Sequence, residues 1–333
     1  MPLFLFAMGA LGWLGLMSPC FAASRCEDSL SQKSLEETIE ICREELTAPL
    51  VRQKRVLVLT ALGKAYLEQQ EAELAIQTWH EASQYLTPNQ ANLAEAEQWA
   101  FLRVLIAQTH AQFNQEELAR VHFSKTAERV DRDVGRHSMA AGIVQNALGD
   151  FYAQQQHAQA AEEAFKRARI IHEVHLGRWH LKTIEVRMNH AVGLLDMNQE
   201  TLAQEHFQVL VNLVSGRSEF NNEPVKAELL TYLGTLQMRQ DLLMEAAKNY
   251  QAAFEVRQRV FGVSSIKTSQ SLNNLGVVLY RLGDLGRAEQ ALSRAYIIRR
   301  DTLGEMDALT ASTKKNLQAV ISATHRVDSR PPN

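Results

Sequence analysis

Small and apolar side chains return along this chain with a period near 42 residues. A small residue sits within an apolar run at Gly63, Ala107, Gly149, Ala191, Gly234 and Gly276, at intervals of 44, 42, 42, 43 and 42. Twelve residues after each comes a triplet: Ala75, Trp79 and Ala82; Ala119, Phe123 and Thr126; Ala161, Phe165 and Ala168. The last three are Ala203, Phe207 and Leu210; Ala246, Tyr250 and Ala253; Ala288, Leu292 and Ala295. Spacings of i, i+4 and i+7 place each triplet on one face of a helix. The pattern predicts six helix–turn–helix units. In each, small residues let two helices approach and one large side chain fills the gap beside them. A fixed period of this size marks a helical solenoid, in which each repeat contacts only its neighbours.

The first helices carry Leu62-Gly63 with Tyr66, Leu148-Gly149 with Tyr152, and looser versions at Leu233-Gly234 and Leu275-Gly276. Together with the triplets this resembles the tetratricopeptide pattern W-x2-L-G-x2-Y then A-x3-F-x2-A, in a longer unit. Ser271-Leu272-Asn273-Asn274-Leu275-Gly276 is similar to the S-L-N-N-L-A of kinesin-light-chain repeats. The segment from Ala168 to Thr183 resembles that family's linker between repeats, and its L-G element returns at Leu303-Gly304. The resemblance spans about residues 50–325. It implies an all-α, right-handed α-solenoid of about six hairpins with capping helices. It implies no motor partner, because a signal-like segment stands where a kinesin light chain has its coiled coil.

Five segments follow. Residues 1–23 read as a signal peptide and 24–49 as an N-terminal capping segment. Residues 50–308 form the solenoid, 309–325 a C-terminal capping helix, and 326–333 a loose tail. Ser34-Leu35-Glu36-Glu37 has the spacing of a capping box and starts the helix at 34–47. Leu309 to Thr324 reads as the first helix of a seventh unit with no second helix after it. Its Lys314, Lys315 and Gln318 give the polar surface that an end cap needs.

The leader carries no charged side chain, and an apolar run from Leu3 to Met17 precedes small residues at Cys20 and Ala22. Cleavage after Ala22 or Ala23 and export to a bacterial periplasm is the expectation. A retained membrane anchor, holding a regulatory or sensor subunit, is the alternative. Cleavage removes Cys20 and leaves Cys26 and Cys42 as an even pair in an oxidising compartment. A continuous helix would hold them about 24 Å apart, so a disulfide requires a fold-back between them. Two unpaired buried thiols are the other outcome.

Net charge is −3, and the chain has no basic stripe of the kind nucleic-acid binding needs. The sequence contains no G-x-S-x-G, no H-E-x-x-H and no phosphate-binding G-x-x-x-x-G-K-[ST]. His172, His175 and His180 form the best metal-like group, but no carboxylate or thiol shares their spacing. They read as two solvated helix-end histidines and one packing histidine. Trp99 and Trp179 read as residues preceding first helices and stapling adjacent repeats. No enzyme activity, cofactor or metal is expected.

Function is therefore sought on the inner face. In tetratricopeptide arrays the first helices line a concave groove, and the resemblance carries selected positions into it. These are Asn146, Asn189, Tyr232, Arg239, Asn273, Asn274, Arg281, Lys315 and Asn316. An amide offers donor and acceptor together and can pair with the main chain of an extended peptide. The same amides could instead bridge neighbouring helices. Arg239, Arg281, Lys315 and Asn274 together suit an acidic peptide or C-terminus. The expected role is a non-catalytic scaffold or adaptor for a protein or peptide partner. A membrane is involved only if the leader is retained.

Overall fold

A computed structural model describes residues 24–30 and 34–328, with side chains to residue 325. The leader at 1–23 and the tail side chains lie outside the described residues. The described chain is helical throughout. A short pair, α1 (Arg25–Ser29) and α2 (Leu35–Thr47), precedes the hairpins. These are α3 (Arg52–Glu68) with α4 (Ala72–Gln84), α5 (Leu93–Gln112) with α6 (Glu116–Val130), and α7 (Met139–Gln154) with α8 (Ala158–Leu176). Next come α9 (Leu181–Asp196), α10 (Glu200–Ser215), α11 (Pro224–Arg239) with α12 (Leu243–Phe261), and α13 (Ile266–Arg281) with α14 (Leu285–Leu303). Helix α15 (Ala308–Asp328) is the last of the described helices. It is a solenoid of helical hairpins, divided into two compact units at Met197 and Asn198.

In the first unit α3, α5 and α7 each pack on their own second helix and on the helix before them, as α5 does on α6 and α4. First helices also meet in sequence, α5 on α7 and α7 on α9. The second unit repeats the scheme from α10 to α15, with α15 resting on α14 and α13. Every large residue of the six triplets, from Trp79 to Leu292, is buried to within 1%. Burying one such side chain contributes about 1.5–3 kcal/mol.

The small-residue landmarks have a packing cause. A Cβ placed on Gly63 would lie 2.3 Å from the indole nitrogen of Trp79, and one on Gly149 would lie 2.6 Å from the Phe165 ring. The Trp79 indole N–H also donates to the Thr60 carbonyl at 3.1 Å. Each ring therefore rests directly on the backbone of the first helix.

The turns inside the hairpins share one conformation. Seven residues after each landmark the backbone enters the left-handed region, at Gln70, Asn114, Gln156, Asn198, Asp241 and Gly283. The next amide then reaches back over the turn, as Glu71 N–H donates to the Tyr66 carbonyl at 2.8 Å. Only one of these six turn residues is glycine. Between hairpins, Gly177 and Gly262 have φ of 85° and 83°. Thr183 and Thr268 donate to their carbonyls at 2.8 and 2.7 Å. Two buried arginines tie repeats together in the second unit. Arg257 donates to Ser271 at 2.8 Å, and Arg299 to Ser269 at 3.2 Å and Thr313 at 2.6 Å.

At the N-terminal end α1 packs against α2. Cys26 in α1 and Cys42 in α2 are joined by a disulfide, with Cα atoms 4.6 Å apart. Ser34 caps α2 by accepting the Glu37 N–H at 3.3 Å. The Cys26 N–H donates to the Glu45 carboxylate at 3.0 Å, a second tie between the same helices.

Candidate functional site

The side chains singled out for a groove fall on first helices and on α15. In the first unit α7 supplies Asn146 and α9 supplies Asn189, and the structure adds Asp150 on α7. Asn146 and Asp150 are one turn apart and share a helix face. The Asn146 Oδ1 is buried and receives no hydrogen bond. Burial pushes the Asp150 carboxyl up to about 8, and the charge of Asp196 on α9 adds to the shift. Burial also raises Asp196, to about 6. At neutral pH the Asp150 carboxyl therefore holds its proton and both donates and accepts, as an amide does. Glu97 on α5 is raised by burial as well, an effect that Lys182 and His175 oppose. Burial lowers Lys182, against the pull of Glu97 and Glu185. The first helices thus carry a half-buried polar band among apolar neighbours.

In the second unit the expected residues are more engaged. Tyr232 on α11 stacks on Phe207 of α10, with centroids 5.0 Å apart. Arg239 pairs with Glu200 of α10. Asn316 on α15 donates to the Asn273 side-chain oxygen at 3.1 Å, which also receives the Thr313 hydroxyl at 3.2 Å. That is the helix-bridging arrangement. Asn274, next to Asn273 on α13, is half-buried, and Lys315 on α15 is exposed. Arg281 closes on the α11–α12 turn, donating to the Met238 carbonyl at 2.9 Å and to Asp241 at 2.8 Å. Its charge is partly used within the chain, in linking adjacent hairpins.

Other expectations change with the structure. Trp99 does not precede a first helix but lies inside α5, 6% exposed. Trp179 does precede α9, with 37% of its surface exposed. His172 is buried, not solvated, and its Nδ1 faces the Ala168 carbonyl at 2.8 Å. His175 lies 2.7 Å from the His137 carbonyl, and His180 caps α9 by accepting the Lys182 N–H at 3.2 Å. Among the described residues no three His, Cys, Asp or Glu side chains converge in a metal-binding arrangement. No described helix is long and apolar enough to cross a membrane. Sequence reading missed a basic cavity of about 610 Å³ between α4 and α6. Its walls come from three helices of two repeats, so no local motif announces it.

Tetratricopeptide-repeat family models match residues 144–181 and 226–301. No curated protein matches the sequence. Among solved structures, the chain is similar to BtubC (BKLC) of P. vanneervenii, at 19% identity and a TM-score of 0.51, over 72% of this chain and 94% of that one. A putative kinesin light chain of Podosopora anserina with TPR-like repeats aligns at 16% identity and a TM-score of 0.47, over 55% and 85% of the two chains. A tetratricopeptide repeat protein of Parabacteroides merdae aligns at 17% identity and 0.47, over 89% and 96%. At such identities the likeness is one of fold. The chain carries tetratricopeptide repeats in each of its two units, and its fold is the hairpin solenoid that such repeats build.

Proposed function

We propose that this protein is an exported, non-catalytic interaction scaffold that binds an extended peptide or partner helix along its first helices. The observation that carries the reading is Asn146. Its Oδ1 is buried on α7 without a donor, one turn from a carboxyl that burial keeps protonated near neutrality. A buried acceptor left unsatisfied costs about 1–3 kcal/mol. The main-chain N–H of a bound peptide would remove that cost. Asn189 on α9 extends the amide set in the first unit. Asn274 and Lys315 are the groups of the second unit best placed to receive a partner, and Asn273 and Asn316 hold that surface in shape. The disulfide between Cys26 and Cys42 supports an oxidising compartment, and with the apolar leader it favours the bacterial periplasm.

Site-specific photo-crosslinking in cells tests the reading. A crosslinker at Asn189 or Asn274 should capture a discrete partner, and one at Lys166, exposed on the second helix α8, should not. Capture from Lys166 alone would place binding on the wrong face. The mass of the mature N-terminus tests export: a start at Ala23 or Ser24 means a cleaved leader, whereas an intact Met1 favours the anchored alternative.

A further inference from the structure

The cavity between α4 and α6 has a counterpart in the second unit. Both are wedges between successive second helices, floored by the first helix of the later hairpin. Between α12 and α14, over α13, the wedge measures about 200 Å³, and Phe254, Leu272 and Ala291 are among its lining residues. Counting from the landmarks, those three places are held in the first unit by Ser83, Arg103 and His122. A phenyl ring has become a hydroxymethyl group, and two apolar side chains have become nitrogen bases. The wedge widens to about 610 Å³. That volume lies in the ordinary range for small-molecule sites, roughly 300–1,000 Å³.

The lining carries a surplus of positive charge. Arg103, Lys125, Arg129 and Arg132 face it, with Glu128 as the one carboxylate, itself held by Ser124 at 2.9 Å. Arg132 and Arg129 share Asp133, at 2.8 and 3.4 Å. Among the described residues neither Arg103 nor Lys125 has a carboxylate in ion-pairing range. The Arg103 Nε is buried with no acceptor, and its Nη2 lies 3.3 Å from the His122 ring nitrogen. Burial and the cations around it, Arg103 foremost, push His122 down to about 4, so a neutral imidazole stands beside the guanidinium. The Trp99 ring takes two guanidinium groups, Arg129 at 4.9 Å and Arg103 at 5.9 Å from its centroid. An aromatic face and a neutral base are weak compensation for these charges.

We propose that this wedge binds a small phosphorylated molecule through Arg103 and Lys125, with Arg129 and Arg132 at its rim. Guanidinium groups present paired donors that match phosphate oxygens, and Arg103 has such donors unused. Several cations around one pocket suit a multiply charged phosphate better than a single carboxylate. The site lies between the second helices α4 and α6, over the Arg103 side of α5, and uses none of the residues proposed for peptide binding.

Isothermal titration of the mature chain with pyrophosphate, citrate and sodium chloride at matched ionic strength tests this. Pyrophosphate should bind saturably with one site, and raise the melting temperature. Arg103→Leu installs the residue that the second unit carries at this place and should keep the fold. Lys125→Gln alters an exposed residue. Each should weaken pyrophosphate at least tenfold with an unchanged circular dichroism spectrum. Pyrophosphate binding by both variants as tight as that of the parent, or a melting shift from chloride equal to that from pyrophosphate, overturns the site. Citrate binding as tightly as pyrophosphate overturns the phosphate assignment. A phosphoserine peptide binding more tightly than pyrophosphate overturns the small-molecule source.

Discussion

The contact of Trp79 with Gly63 offers the sharpest test of how these hairpins close. A methyl group at position 63 would sit 2.3 Å from the indole nitrogen, far inside van der Waals contact. The ring cannot simply swing away, because its N–H is held on the Thr60 carbonyl. Gly63→Ala gains about 1 kcal/mol of helix propensity. Against this stand about 1–3 kcal/mol of overpacking and about 1 kcal/mol for the hydrogen bond lost as the ring shifts. The net expectation is destabilisation on the order of 1–3 kcal/mol. Trp79→Phe alone should also destabilise, by leaving space and removing the donor. The double variant reproduces the Ala–Phe pair that occurs naturally at Ala107 with Phe123. It should recover at least about 1 kcal/mol relative to the sum of the single changes. Urea denaturation followed by far-ultraviolet circular dichroism measures all four proteins of the cycle without relying on tryptophan emission. Additive costs would refute the claim that the landmark residue and the ring are fitted to each other.

Other expectations follow from single features. The raised carboxyl of Asp150 binds its proton more tightly in the folded state, so folding is favoured at low pH and loses that advantage as pH climbs from about 4 to about 8. Asp150→Asn should therefore melt higher than the parent at pH 8 and with little difference at pH 4; the opposite order would contradict the assignment. Removing the disulfide by Cys26→Ser and Cys42→Ser frees a loop with a sequence separation of 16. For a loop of that length the loss is about 3 kcal/mol. Hydrogen exchange should rise in α1 and α2 and stay unchanged from α11 onward. Gln70→Gly replaces a side chain held at φ 68°. It should stabilise the first hairpin by up to about 1 kcal/mol, read from the denaturation midpoint. A loss of stability there would mean that the Gln70 side chain contributes more than its backbone costs.

Much of this fold is written in the spacing of small and large residues, because each hairpin repeats one contact. Gly149 against Phe165 and Gly276 against Leu292 could be paired from the period alone. The capping serine at position 34 was equally plain, since its partner is three residues away. What escaped is what the period does not encode. The left-handed turns at Gln70, Asn114, Gln156, Asn198 and Asp241 carry varied side chains, and only Gly283 betrays the conformation. Arg281 reads as a free cation until its partners, about 40 residues earlier, are known. Asn273 and Asn316 read as groove amides or as helix bridges, and their hydrogen bond to each other shows only once α13 and α15 are brought together. The basic wedge depends on Ser83, Arg103 and Lys125, which lie on three separate helices and become neighbours only by folding.

The left-handed residue at a constant offset has a bearing on how such a chain can be lengthened or rearranged. A deletion on the short loop within a hairpin would move this residue out of register and cost the backbone bond that reaches over it. The stretches between hairpins carry the length variation, as the intervals of 42 to 44 residues show. Splicing, duplication or grafting of modules should therefore succeed when cuts fall at joints such as Gly177 or Gly262, and fail when they fall at Gln70 or Asp241.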